Sequence, residues 1–113
     1  YTFPGSDGME KMAALMQKLR TELPFVIAGR AVTGHTDYEA GLRCEDGEGE
    51  TPTGLPASNV MEFRFGKEGS LVARPSGTEP KLKFYYSLRA ADRAAAQTAY
   101  GEIRSSVESW LGL

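Results

Sequence analysis

Arg74, Ser76, Gly77 and Thr78 fall within eight residues, R-P-S-G-T-E-P-K, that separate two strand-like runs. Arginine is a fixed cation whose planar fork of donors suits two oxygens of a phosphate. Each hydroxyl adds a donor. Glycine lets the backbone approach a ligand and turn its N–H groups toward it, as in an anion nest. Pro75 and Pro80 stiffen the flanks, so less entropy is lost on binding. Lys81 and Lys83 bring further positive charge nearby. The chemistry this favours is capture of a phosphate by a rigid hairpin. Glu79 opposes it unless the carboxylate points away or pairs with Lys81 or Arg74. The spacing is not that of a Walker A loop. A hairpin turn with solvated polar residues accounts for the same composition.

Other groupings carry less. In H-T-D-Y-E, a strand would put His35, Asp37 and Glu39 on one face, but no fourth metal ligand accompanies them. C-E-D-G-E-G-E, residues 44–50, lacks the spacing of a calcium loop and reads as a solvated segment. No metal site is expected. Lys83, Tyr85 and Arg89 alternate onto one face of a strand and could form an RNA-binding platform. The net charge of −2 and the lack of an RNA-recognition motif argue against nucleic acid as a partner. Any anion recognition must therefore be local.

The elements that would hold the loop follow from periodicity. The 113 residues suit one domain with one core. No apolar run approaches the roughly 18 residues that cross a bilayer, so no membrane partner is expected. Cys44 is the one cysteine, which excludes an internal disulfide and fits a reducing, cytoplasmic setting. The chain opens on Tyr1, with helix signals close behind, which suggests a fragment of a larger protein.

Residues 5–24 read as a helix. Asp7 and Glu10 have capping-box spacing, and Met9, Met12, Ala13, Met16, Leu19 and Leu23 form an apolar stripe. F-V-I-A-G-R-A-V-T-G reads as one strand with Gly29 at a bulge. Residues 35–58 read as a long acidic connection with room for a short strand. N-V-M-E-F-R-F alternates, with Met61, Phe63 and Phe65 on one side. L-V-A-R is a short strand. K-L-K-F-Y-Y-S-L-R-A alternates again, with Leu82, Phe84, Tyr86 and Leu88 opposite Lys81, Lys83, Tyr85 and Ser87. Residues 92–113 form a second helix capped by Asp92, its stripe running through Ala96, Ala99, Tyr100, Ile103, Val107, Trp110 and Leu111. This order predicts an α+β fold, an antiparallel sheet of about four strands with two helices packed on one face.

R-P-S-G-T-E-P-K-L-K-F-Y-Y, with T-P-T-G-L-P-A-S-N-V-M-E-F-R-F and G-S-L-V-A-R-P-S-G before it, resembles the C-terminal domain of the α-D-phosphohexomutases. The match is nearest the bacterial phosphoglucomutase and phosphomannomutase group and spans nearly the whole chain. The resemblance implies a TATA-box-binding-protein-like antiparallel sheet and a single domain, 1–113, the last of four. It implies that Arg74, Ser76, Gly77 and Thr78 bind the phosphate not being transferred. Lys83 falls where related enzymes carry a further basic residue. It implies hexose phosphates as ligands (glucose 1-phosphate, glucose 6-phosphate and glucose 1,6-bisphosphate) and the remaining domains of the same enzyme as partners. The family's phosphoserine, metal and sugar loops have no counterpart here. No catalytic residue is therefore expected in this chain: neither Ser58 nor Ser76 is the nucleophile, and magnesium would be bound by another domain. The domain alone would be inactive. The alternatives are a structural or interaction domain and the sheet-face RNA module.

Overall fold

The computed structural model describes residues 1–22, 26–45 and 49–113. Helix α1 spans Gly8–Thr21 and helix α2 spans Arg93–Leu111. The strands are β1 (Val26–Ile27), β2 (Arg30–Ala31), β3 (Gly34–Asp37), β4 (Leu42–Glu45), β5 (Glu50–Pro52), β6 (Met61–Arg64), β7 (Gly69–Pro75) and β8 (Leu82–Leu88). Strands β3–β8 form one antiparallel sheet in the order β5-β4-β3-β6-β7-β8.

One face of this sheet makes the core. Met61 and Phe63 on β6, Leu71 and Ala73 on β7, and Leu82 on β8 are all buried on the same side by alternation. They meet Met12, Met16 and Leu19 of α1 and Ile103, Val107 and Leu111 of α2 in a single cluster. Both helices therefore cover one face, and Lys18 Nζ donates to the Trp110 carbonyl across them at 2.8 Å. Asp92 caps α2 as expected, its carboxylate accepting from the Ala95 N–H at 2.7 Å.

The α+β class holds, but several expectations need correction. The sheet has six strands rather than about four. The acidic connection supplies β3, β4 and β5, which are short and mostly polar. They are held by ladder pairing and by Arg64, so they carry little apolar alternation. From β6, the Arg64 guanidinium donates to Thr36 Oγ1 at 2.8 Å and to the His35 carbonyl at 3.1 Å, and it pairs with Glu45 at 2.6 Å and with Glu62. The stretch 26–31 is a tight hairpin rather than a single bulged strand. Ala28 and Gly29 both have positive φ, 52° and 76°, which is the twist a two-residue hairpin turn needs. Asp7 stands at the N-cap of α1, but its side chain makes no capping bond and pairs instead with Lys11 at 3.4 Å. Met9 and Ala13 are exposed, because the buried stripe runs through Gly8, Met12, Met16 and Leu19. Leu23 and part of the 44–50 segment lie outside the described residues.

Candidate functional site

The loop at 76–81 is the tip of the β7–β8 hairpin. Its base is closed by the Ser76 N–H donating to the Lys81 carbonyl at 2.8 Å. Below it the register runs Pro75↔Leu82, Arg74↔Lys83, Ala73↔Phe84 and Val72↔Tyr85. Leu82 is buried on the helix side, so its neighbours in the alternation point the other way. Arg74, Lys83 and Tyr85 thus share the helix-free face, and all three are exposed. Directly opposed residues in an antiparallel pair hold their Cβ atoms about 4.5–5.5 Å apart. Two cations therefore stand side by side at the mouth of the loop. Neither Arg74 nor Lys83 makes a hydrogen bond or ion pair among the described residues.

Glu79 is resolved by pairing. Its carboxylate lies 2.8 Å from Lys81 Nζ, and this hydrogen bond holds its pKa below the usual carboxylate value while raising that of Lys81. Both side chains are exposed, so the pair contributes little to stability. Lys83 adds a weaker electrostatic pull on the same carboxylate, but neither Lys83 nor Arg74 is bonded to it.

The hydroxyls divide in their roles. Ser76 Oγ faces the loop interior and accepts from the Thr78 and Glu79 N–H groups at 3.4 and 3.2 Å. A serine oxygen thus stands where an anion oxygen could accept the same donors, and its own O–H remains able to donate. The expected nest of main-chain donors is half-occupied by the loop's own serine. The Thr78 side chain is exposed and forms no bond among the described residues. Gly77 is also exposed, its φ is not positive, and an added Cβ would meet nothing within 4 Å. The backbone here does not demand glycine, so the open approach is what its missing side chain provides.

The return limb of the loop is braced from the chain's first residues. Phe3 N–H donates to the Pro80 carbonyl at 2.7 Å, and Leu82 N–H donates to the Tyr1 carbonyl at 2.8 Å. The Tyr1 amine returns a 2.8 Å bond to the Leu82 carbonyl, and Thr2 bridges Lys81. Gly8 packs so close that a Cβ there would lie 2.9 Å from Pro80 Cβ. Sequence reasoning missed this brace, because three unpatterned residues give no local signal for a partner some eighty positions away. On the other side, Gly69 begins β7 with φ 132°, where a Cβ would lie 1.8 Å from the Ser87 carbonyl oxygen. Glycine is what lets the two strands close together there.

A concavity of about 470 Å³ follows the outer edge of β8 and is lined by Lys83, Tyr85, Tyr1, Tyr100 and Arg104, among others. It reaches the loop group only through Lys83. His35 and Asp37 lie on the helix side of the sheet, where Arg20 pairs with Asp37 at 3.2 Å and with Glu39 at 3.8 Å. No group of three His, Cys, Asp or Glu side chains fit to hold a metal ion occurs among the described residues. Among the described residues, no helix is long and apolar enough to cross a membrane.

Residues 9–100 match the family described as phosphoglucomutase/phosphomannomutase, C-terminal domain. The chain is 48% identical over 87 residues to a phosphoglucomutase of Staphylococcus haemolyticus, 76% of this chain and 16% of that protein. It is 40% identical over 88 residues to that of Staphylococcus saprophyticus and 38% over 89 to that of Staphylococcus epidermidis, again 16% of each relative. This chain therefore spans about a sixth of the relatives it matches. No solved structure matches it significantly. With 92 of its 113 residues matched and its antiparallel sheet carrying two helices on one face, the chain belongs to the phosphoglucomutase/phosphomannomutase C-terminal domain family.

Proposed function

We propose that this domain anchors the phosphate of a hexose phosphate while the remainder of a phosphoglucomutase carries out phosphoryl transfer. The observation that carries this reading is the opposed pair of Arg74 and Lys83 on the helix-free face, neither of them in a hydrogen bond or ion pair among the described residues, at the mouth of the Ser76–Thr78 loop. Arg74 would grip two phosphate oxygens and Lys83 would supply a second positive charge. Ser76 and Thr78 would donate their hydroxyl protons, and the bare Gly77 would let the dianion approach the main chain.

Positioning is the contribution such a site can make. Glucose 1-phosphate and glucose 6-phosphate share a phosphate and differ in which end of the sugar carries it. Holding one end fixes the other for reaction elsewhere, which lowers the barrier by orientation. Magnesium, like the phosphorylated serine, would belong to other domains of the cytoplasmic enzyme, as the family resemblance implies. The domain alone would not interconvert the two sugar phosphates.

The test is a titration of this 113-residue chain with glucose 1-phosphate, followed by amide chemical shifts. The expected result is a set of shifts centred on Ser76–Thr78, with a millimolar Kd, about −4 kcal/mol. Those shifts should vanish in Arg74→Ala, since hydrogen bonds to charged groups contribute about 1.5–3 kcal/mol. Shifts confined to other parts of the sheet, or none at saturation, would refute the reading.

A further inference from the structure

We propose that Tyr85 is the sugar-facing platform of this site, the surface against which the hexose ring lies once its phosphate is held; the proposal rests on the phosphate reading above. Tyr85 has no role in the phosphate grip and none in the core. It is 49% exposed, so its ring is open to a ligand. Its hydroxyl has no partner among the described residues.

Its position is what points to a ligand. The Ser76 N–H bond to Lys81 sets the alternation of the ladder, so Arg74↔Lys83 and Val72↔Tyr85 are successive pairs of the same kind on the same face. Tyr85 is two residues beyond Lys83, a rise of about 6.6–6.8 Å along the strand. That step is comparable to the span from a phosphate to the middle of the sugar ring attached to it. Val72, its directly opposed cross-strand neighbour, is half-buried and aliphatic. Lys83 and Tyr85 together rim the concavity along β8, which leaves room beside the ring. A pyranose presents C–H groups on its face and hydroxyls at its edge. A tyrosine presents an apolar face and a polar tip, so the two match in chemistry. The same side chain would be wasted on inorganic phosphate.

That contrast supplies the test. Dissociation constants of this chain would be measured for glucose 1-phosphate, glucose 6-phosphate and inorganic phosphate by amide shifts, alongside a thermal melt. The unaltered chain should bind the hexose phosphates about three- to tenfold more tightly than inorganic phosphate. Tyr85→Phe should keep that advantage. Tyr85→Ala should erase it while leaving affinity for inorganic phosphate unchanged. Tyr85→Leu, which keeps apolar bulk on the strand but no flat ring, serves the same purpose if the alanine variant melts early. An equal affinity for all three ligands, or a hexose advantage that survives both replacements, overturns the role of Tyr85 and leaves the phosphate anchor standing. Failure of inorganic phosphate and hexose phosphates alike to bind overturns both.

Discussion

Replacing Gly77 by alanine separates folding from binding more cleanly than any other change in the loop. Its φ is outside the left-handed region, and a methyl group there would meet no atom within 4 Å. The fold should accept the substitution without strain. Alanine also restricts the unfolded chain more than glycine does, which stabilises by about 0.4–1 kcal/mol where the native backbone is compatible. For a domain of this size that raises Tm by about 1–5 °C. Binding should move the opposite way. If a dianion approaches the main chain at this point, the methyl group intrudes on it and lifts the phosphate from at least one charge-assisted bond. One such loss weakens affinity by about tenfold or more. The assay is a thermal melt without ligand followed by a glucose 1-phosphate titration on the same sample. Gly69→Ala is the counter-control: its Cβ would lie 1.8 Å from a β8 carbonyl oxygen, so it should destabilise by more than about 3 kcal/mol. A Gly77→Ala protein that melts several degrees lower, or that binds the sugar phosphate as before, would refute the reasoning.

Three further outcomes follow from the fold. Asp92→Ala removes the carboxylate that accepts from the Ala95 N–H and should cost about 0.5–2 kcal/mol in chemical denaturation; no change would mean that the cap is idle. Ala28→Asn places a residue tolerant of positive φ before Gly29 and should stabilise by up to about 1 kcal/mol; a loss would show that the Ala28 methyl matters more to packing than to the turn. Burial pushes the Tyr86 phenol up to about 12, so the folded protein keeps a proton that the unfolded chain releases near pH 10. Stability should therefore be whole below pH 10 and fall as pH rises toward 12, and Tyr86→Phe should flatten that fall. An unchanged alkaline limb in the phenylalanine variant would rule out Tyr86 as its source.

Much of this molecule is legible from its residues, and the illegible parts share a cause. Met61, Phe63 and Phe65, and Leu82 with Phe84 and Tyr86, announce their strands because one face is apolar and the other is not. Helix α2 likewise shows in the spacing of Ile103, Val107 and Leu111 and in the cap at Asp92. Strands β3 to β5 stay hidden because their stability comes from partners in the sheet. Thr36 is 2% exposed yet polar, and the guanidinium of Arg64 makes its burial tolerable. The β1–β2 turn is hidden because alanine is a poor signal for positive φ. In the loop, residue types pointed to an anion, and the pairing of Glu79 with Lys81 was one of the options the charges allowed. The inward turn of Ser76 and the brace from Tyr1 to Phe3 depend on three-dimensional closure, which no spacing encodes.

That brace makes the loop sensitive to load. Since Tyr1 and Leu82 exchange backbone bonds in both directions and the Phe3 side chain is buried in the hydrophobic cluster, a pull along the first three residues loads this short ladder and the core together. Such a pull is delivered at Lys81 and Leu82, the limb that leads straight into Lys83. The tip of the β7–β8 hairpin is therefore coupled mechanically to the backbone of residues 1–3, and its alignment registers strain there.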